Sequence, residues 1–368
     1  SFWLFHTVVK CYEHTGEVPF DSVMINGMVL DENREKMSKS KGNIVAPDEV
    51  VEKFPVDAAR YWAAGSAVGD DLPYKEKGLR AGEKLLRKLW NASKLVDSLT
   101  PDEPVDVDHE ELEELDRWLL ASLDEEIEYI TAKLDSYEFS KARDRLRSFF
   151  WHTFCDDYLE IAKQRLREGE DDSAAYTLQV AHRRFLKLFA PYLAHITEEL
   201  WRDMYGSETE SVHRAAWPEP LGLDADIDAG ETALSVVSAL RRYKSDNQLS
   251  MNAELDSVIV YGDVAGFEDD IQRVMHVDDL ETTDAEAPIE AVVTGIDLDY
   301  SLVGPEFGNR VSEIDAGIEA GEYELVGDTL QVAGVELTAE MFSIEEERQH
   351  TGDGEMVEAD DVVVIVQA

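Results

Sequence analysis

Apolar side chains recur at helical spacing through most of residues 76–205, and that periodicity constrains the fold more than any other feature. Within 76–97, Leu79, Leu85, Leu86, Leu89, Trp90 and Leu95 form one stripe along a long amphipathic helix. Residues 99–110 (LTPDEPVDVDHE), with two prolines and a run of acids, read as a loop. Three further helical stretches follow near 111–134, 138–168 and 172–205, the last stopped at Gly206. Helices of this kind bury their stripes against one another, so the middle of the chain is predicted to be a helical bundle. Trp118, Trp151 and Tyr158 sit at apolar positions of these helices and are expected in its core.

The flanks differ. Residues 2–14 (FWLFHTVVKCYEH) read as an apolar helix ending at Gly16, and 22–30 (SVMINGMVL) as a short buried strand with Gly27 inside it. Residues 31–45 are polar and predict a mobile loop, after which Pro47 and Pro55 open two short helices. Residues 207–230, with Pro218, Pro220, Gly222 and Gly230, read as a linker. A helix at 231–246 and short β-like runs at 258–261, 291–294, 329–332 and 362–366 predict a small α/β tail. The fold class expected is mostly α with α/β ends, without internal repeats.

Charge narrows the partners. The chain holds 80 acidic and 34 basic residues, a net of -46. Such a chain repels polyanions at ordinary salt. Two readings follow: a protein that avoids nucleic acid, or a protein of a salt-rich cytosol, where the Debye length shrinks to roughly 3 Å and acidic surface maintains hydration. The imbalance is uneven. Residues 245–368 carry 32 acids against Arg273, Arg310 and Arg348, whereas residues 75–94 (KEKGLRAGEKLLRKLWNASK) carry 7 bases against 2 acids. No run approaches the roughly 18 apolar residues of a membrane span. Cys11 and Cys155 match no disulfide or metal spacing, which fits a reducing, cytoplasmic setting without a bound metal. His152 shares a helical face with Cys155, but two residues do not make a zinc site.

The sharpest local signal is Lys36-Met37-Ser38-Lys39-Ser40-Lys41-Gly42-Asn43, three ammonium groups within six residues on a backbone of small hydrogen-bonding residues. Lysines so placed can meet the charge developing on a pyrophosphate leaving group, with Ser and Asn as further donors. The string spells the KMSKS signature. With MINGMVL before it and GNIVAPDEVVEKFPVDAARYWAAG after it, the chain resembles the class I aminoacyl-tRNA synthetases, within the group for valine, isoleucine and leucine. The stretches SAVGDDLPYKE (66–76), LRKLWNAS (86–93) and FCDDYLE (154–160) resemble the archaeal valine enzymes, which favours valine over the isoleucine and leucine alternatives.

That resemblance, strong over roughly residues 1–205 and faint beyond about 260, carries specific implications. Lys39, assisted by Lys36, Ser38 and Ser40, would stabilise pyrophosphate during activation of the amino acid by ATP with Mg2+. The loop would close on ATP and open to release it. Asn26, Gly27 and Met28 match the stretch beside the adenine, and Trp3 the pair flanking the amino-acid pocket, with a plain core tryptophan as the alternative. Partners would be valine, ATP and tRNA-Val, and the protein would be a monomer. Residues 1–45 would end a Rossmann-type catalytic domain, 46–75 connect it, 76–220 form the anticodon-binding bundle and 221–368 an acidic α/β domain. Nothing here resembles the HIGH motif or an editing domain. With Ser1 starting inside an apolar run, a cut through a longer polypeptide is expected, and these residues alone should not activate an amino acid. A non-catalytic RNA-binding module is the alternative from another class.

On the helix at 76–97, Arg87, Asn91 and Lys94 lie on one face, bordered by Lys84 and Lys88. Cations suit phosphates and an amide can read a base edge. The resemblance puts Lys88, Asn91, Lys94 and Leu95 where valine enzymes contact the anticodon, although Leu95 lacks the aromatic ring the family can have there. A second basic cluster (Lys141, Arg143, Arg145, Arg147) and a third (Arg183, Arg184, Lys187) read equally as salt-bridged bundle surface or phosphate contacts. Residues 240–246 (LRRYKSD) form a last basic island before the acidic tail.

Overall fold

Helix starts follow proline. In the computed structural model, which describes residues 2–359 and 362–367, α2 (Pro47–Lys53) begins on Pro47 and α3 (Val56–Ala63) directly after Pro55. The described residues fall into two compact units, Ser1–Leu234 and Ser235–Ala368.

The first unit opens with α1 (Phe2–Thr15), none of whose described residues is buried, closed by Gly16 at φ 77°. The strand expected over 22–30 shrinks to β1 (Val29–Leu30), which pairs in parallel with β2 (Leu72–Pro73). Only two residues of a partner run alongside it, so the rest of that apolar run stays extended and exposed at Val23, Met24 and Ile25. Next come α4 (Glu76–Leu99), α5 (Glu114–Asp135), α6 (Phe139–Ser148), a π-helical stretch (Phe149–Tyr158), α7 (Leu159–Glu168), α8 (Asp172–Phe189) and α9 (Ala194–Tyr205). Pro191 splits the helix expected over 172–205, because it cannot donate to the helical ladder.

The α4 stripe is Leu79, Leu85, Leu86, Leu89 and Val96, all buried, whereas Trp90 lies off it and is 41% exposed. Gly82 is required where α4 crosses α3: a Cβ there would sit 2.9 Å from Ala58 Cα. Trp118, Tyr158, Phe150, Phe154, Phe185 and Trp201 fill the bundle core. Three buried polar contacts pin its helices. Asp116 on α5 accepts from Arg165 Nη1 and Nη2 at 2.7 and 2.9 Å and from Tyr158 Oη at 2.6 Å. Asp57 on α3 accepts the backbone N–H groups of His195 and Ile196 at 3.1 and 2.8 Å, satisfying the start of α9. His182 lies between Tyr205 Oη and Ser93 Oγ, both at 2.8 Å. The segment read as a linker is tied down as well: Asp124 accepts from Leu221 N and Gly222 N. The helix α10 (Ile227–Asp246) follows, four residues earlier than expected.

The second unit holds a sheet ordered β10-β11-β3-β4. Here β3 (Leu255–Tyr261) and β4 (Val277–Thr283) run parallel across α11 (Glu268–Met275), and β10 (Glu355–Ala359) and β11 (Val362–Gln367) add antiparallel. The buried run Val363–Val366 makes β11 a central strand. A ribbon of β5 (Ile289–Leu298) and β9 (Phe342–His350) has its own register. The helices α12 (Tyr300–Phe307) and α13 (Val311–Glu319) share a core with the meander β6 (Tyr323–Val326), β7 (Thr329–Val332) and β8 (Val335–Thr338), built on Val303, Ile314, Leu330, Val332 and Leu337. Lys244, expected on a basic surface, is fully buried in this unit. Its ammonium donates to the carbonyls of Met251, Ala253 and Met275 at 2.9, 2.7 and 2.6 Å. Of the basic island at 240–246, Lys244 is therefore withdrawn from the surface, while Arg242 stays exposed and donates to the Glu358 carbonyl at 2.7 Å.

Candidate active site and nucleic-acid interface

The loop carrying the lysines is short but braced. Leu30 and Lys36 form an isolated antiparallel bridge, and Asp31 accepts the N–H groups of Asn33 and Glu35 at 3.0 and 2.7 Å. Asn43 closes the loop from the far side: its Oδ1 accepts from Ser38 N at 2.9 Å and its Nδ2 donates to Asp31 at 2.7 Å. These contacts, the Asn43 amide foremost, hold the Asp31 carboxyl below the usual carboxylate range. Asn43 is thus a structural brace and no free donor. Gly42 turns the chain at φ 69°. Met37 points the other way, against Val50, Phe54, Tyr74 and Leu79.

The cations separate into two kinds. Lys41 is paired with Glu35 at 2.9 Å, whereas Lys36 and Lys39 are exposed and have no ion pair or side-chain hydrogen bond among the described residues. Ser38 Oγ and Ser40 Oγ lie 3.3 Å apart on the same turn. Met28 N donates to Asp71 at 2.7 Å, and Gly27 packs so closely on the Asp70 backbone that a Cβ would overlap it. Asn26 and Gly27 line a cleft of about 580 Å³ with Val29, Trp62, Leu134 and Tyr192. Trp3 is 71% exposed on α1 and lines neither this cleft nor the bundle core. Among the described residues no group of three or more His, Cys, Asp or Glu could hold a metal ion, and no helix is long and apolar enough to cross a membrane.

On α4, Lys84, Arg87 and Asn91 are exposed, and Lys84 and Arg87 have no ion pair among the described residues. Lys88 and Lys94 are held instead. Lys88 Nζ donates to Asp156 at 2.6 Å and lies 5.4 Å from the Trp151 ring, and Lys94 Nζ donates to Asp203 at 2.7 Å. Asp203 raises the Lys94 ammonium above its ordinary value. Sequence reasoning missed both carboxylates, since each comes from a distant helix. Trp151 is half-buried, not core like Trp118 and Tyr158.

The other basic clusters are largely bound internally. Arg145 pairs with Glu126, Lys141 with Glu138, and Arg143 with Asp144 while covering the Tyr61 ring. Arg184 pairs with buried Asp124 at 2.7 Å and Arg183 with Glu208 at 3.1 Å. Cys155 is buried, which pushes its thiol up to about 12, whereas His152 is exposed with its Nδ1 3.4 Å from Asp156.

Residues 1–75 match the family described as tRNA synthetases class I (I, L, M and V), and residues 116–259 match the anticodon-binding domain of tRNA ligase. Lysine loop and helical bundle are thus parts of one architecture, and the chain belongs to the class I tRNA synthetase family. Relatives it matches include valine–tRNA ligases. That of Haloarcula marismortui is 64% identical, covering 100% of this chain and 40% of that protein. Those of Methanothermobacter thermautotrophicus and Pyrococcus furiosus are each 34% identical, covering 94% and 97% of this chain and 41% and 42% of theirs. The chain spans about 40% of the length of these relatives. Its α4 lies between the two matched stretches.

Proposed function

We propose that this chain supplies the pyrophosphate-binding flap and the tRNA-binding bundle of a valine–tRNA ligase. The reaction activates valine with ATP to valyl-adenylate and then passes the valyl group to tRNA-Val. One observation carries the reading: in a chain of net -46, Lys36 and Lys39 remain exposed and unpaired among the described residues, on a loop whose backbone is braced from both sides. When the valine carboxylate attacks the α-phosphorus, charge moves onto the departing pyrophosphate, and two preorganised ammonium groups favour that change. Ser38 and Ser40 add hydroxyl donors on the same turn. Mg2+ enters with ATP as substrate. The cleft beside Asn26 and Gly27, with Met28 next to it, is the candidate adenine side, and Trp3 the candidate wall of the valine pocket.

Lys84, Arg87, Lys88, Asn91 and Lys94 make the RNA face, with cations on phosphates and Asn91 on a base edge. In this reading residues 1–45 belong to the catalytic domain, 46–75 connect it, 76–220 bind tRNA and 221–368 form an acidic domain. The protein acts as a cytoplasmic monomer adapted to high salt.

Pyrophosphate exchange in the full-length enzyme tests the reading. Valine should support exchange in preference to isoleucine and leucine, and Lys39→Ala should lower it about a hundredfold or more. Asn91→Ala should weaken tRNA charging while leaving exchange nearly unchanged. Exchange driven by leucine and not by valine rejects the substrate. Tight tRNA binding with no exchange under any condition replaces the ligase by a non-catalytic RNA-binding module.

A further inference from the structure

Resting on the α4 reading above, we infer that Asp156 and Asp203 are specificity-determining residues of the RNA face, each sequestering a lysine that only a well-placed phosphate releases. Lys88, Asn91 and Lys94 follow one another at three-residue intervals, so Asn91 sits between the two lysines on one ridge of the helix. Each lysine is drawn off that ridge toward a different neighbour. Asp156 on the π-helical stretch takes Lys88 at 2.6 Å, and Asp203 on α9 takes Lys94 at 2.7 Å, with Asp97 4.0 Å from the same Lys94 ammonium. Lys84 and Arg87 keep no such carboxylate among the described residues. Of four cations on this face, two have no ion pair among the described residues and two are neutralised on either side of the one amide.

Sequence-independent RNA binding scales with the number of free cations that meet phosphates. Two sequestered lysines contribute little to it. An ion pair at the surface is weak, however, and a phosphate oxygen at the right position can take the place of the single carboxylate oxygen that each ammonium meets. Contact-distance pairs persist at molar salt, where long-range attraction is screened. The arrangement lowers affinity for every RNA and lowers it most for those whose backbone does not pass both lysines.

The test is binding of tRNA-Val and of a non-cognate tRNA to the full-length enzyme across a KCl series. Asp156→Asn and Asp203→Asn should each tighten binding about threefold to tenfold at moderate salt and steepen the salt slope by about one. The non-cognate tRNA should gain more, so discrimination falls. Adding Lys88→Gln to Asp156→Asn should remove the gain, and unchanged thermal melting guards against a folding effect. Affinities that stay within twofold, or weaken, overturn the inference. Arg87→Ala and Asn91→Ala separate the two levels. If they leave binding unchanged, the RNA reading of α4 falls and takes this inference with it. If they weaken binding while the Asp→Asn variants fail to tighten it, sequestration alone is rejected.

Discussion

Asn43 and Asp31, twelve residues apart, are joined by a 2.7 Å hydrogen bond from the Asn43 amide to the Asp31 carboxylate, and the same side chain accepts Ser38 N at 2.9 Å. One amide therefore links the entry of the lysine loop, its crest and its exit. Asn43→Ala should leave the fold intact but speed amide exchange at Ser38 by about tenfold or more, since that N–H loses its acceptor. Hydrogen exchange read by NMR or mass spectrometry checks it, and an unaltered Ser38 rate would show that the backbone holds the loop by itself.

His182 gives a pH-dependent stability term with a definite sign. Burial pushes its pKa down to about 3 from the ordinary value of 6.5, with Arg183 adding in the same direction. Between those limits the unfolded chain binds a proton that the folded chain refuses, so stability is complete above about pH 6.5 and falls as pH drops toward 3. Wild type should lose more stability than His182→Asn between pH 7 and pH 5. The difference approaches about 1 kcal/mol per pH unit through that window. Denaturant melts of both proteins measured in parallel read this directly.

The Asp116–Arg165 pair predicts an asymmetry. Asp116→Leu strands a buried guanidinium and should cost about 3–5 kcal/mol, even though Asp171 still pairs with Arg165 at 2.8 Å. Combining it with Arg165→Met should recover part of that loss, because neither charge is then left buried. A double-mutant cycle in urea decides it, and simple additivity would speak against the pair acting as a unit.

Lys244→Met should destabilise the second unit by about 3 kcal/mol, because three carbonyls, the Met275 one buried, lose their donor together. Faster amide exchange in α11 and β3 would locate the effect, and a near-neutral melt would show that water replaces the ammonium.

Much of this was legible in the chain. The α4 stripe, the proline-led helices and the run Thr329–Val332 follow from period and local chemistry alone. The lysine loop was legible because its residues are consecutive. What escaped depends on partners far along the sequence. The apolar run before Leu30 was read as a strand, but a strand needs a neighbour and only Leu72–Pro73 supplies one. Lys88 and Lys244 look alike as letters, yet one meets a carboxylate 68 residues away and the other the carbonyls of Met251, Ala253 and Met275. Trp90 and Trp151 were assigned to the core by spacing, whereas both lie along the edge of their helices' apolar faces, and Trp151 has the Lys88 ammonium 5.4 Å and the Arg147 guanidinium 5.3 Å from its ring.

Met37 sets the reach of the lysines beside it. With its thioether held among Val50, Phe54, Tyr74 and Leu79, the crest of the loop has a fixed fulcrum. Lys39 stands two residues beyond, so its Cα stays within about 7 Å of the Met37 Cα whatever the loop does. The ammonium group therefore swings like the tip of a short lever. It sweeps an arc instead of wandering, which in the proposed reading brings it to a triphosphate from one side.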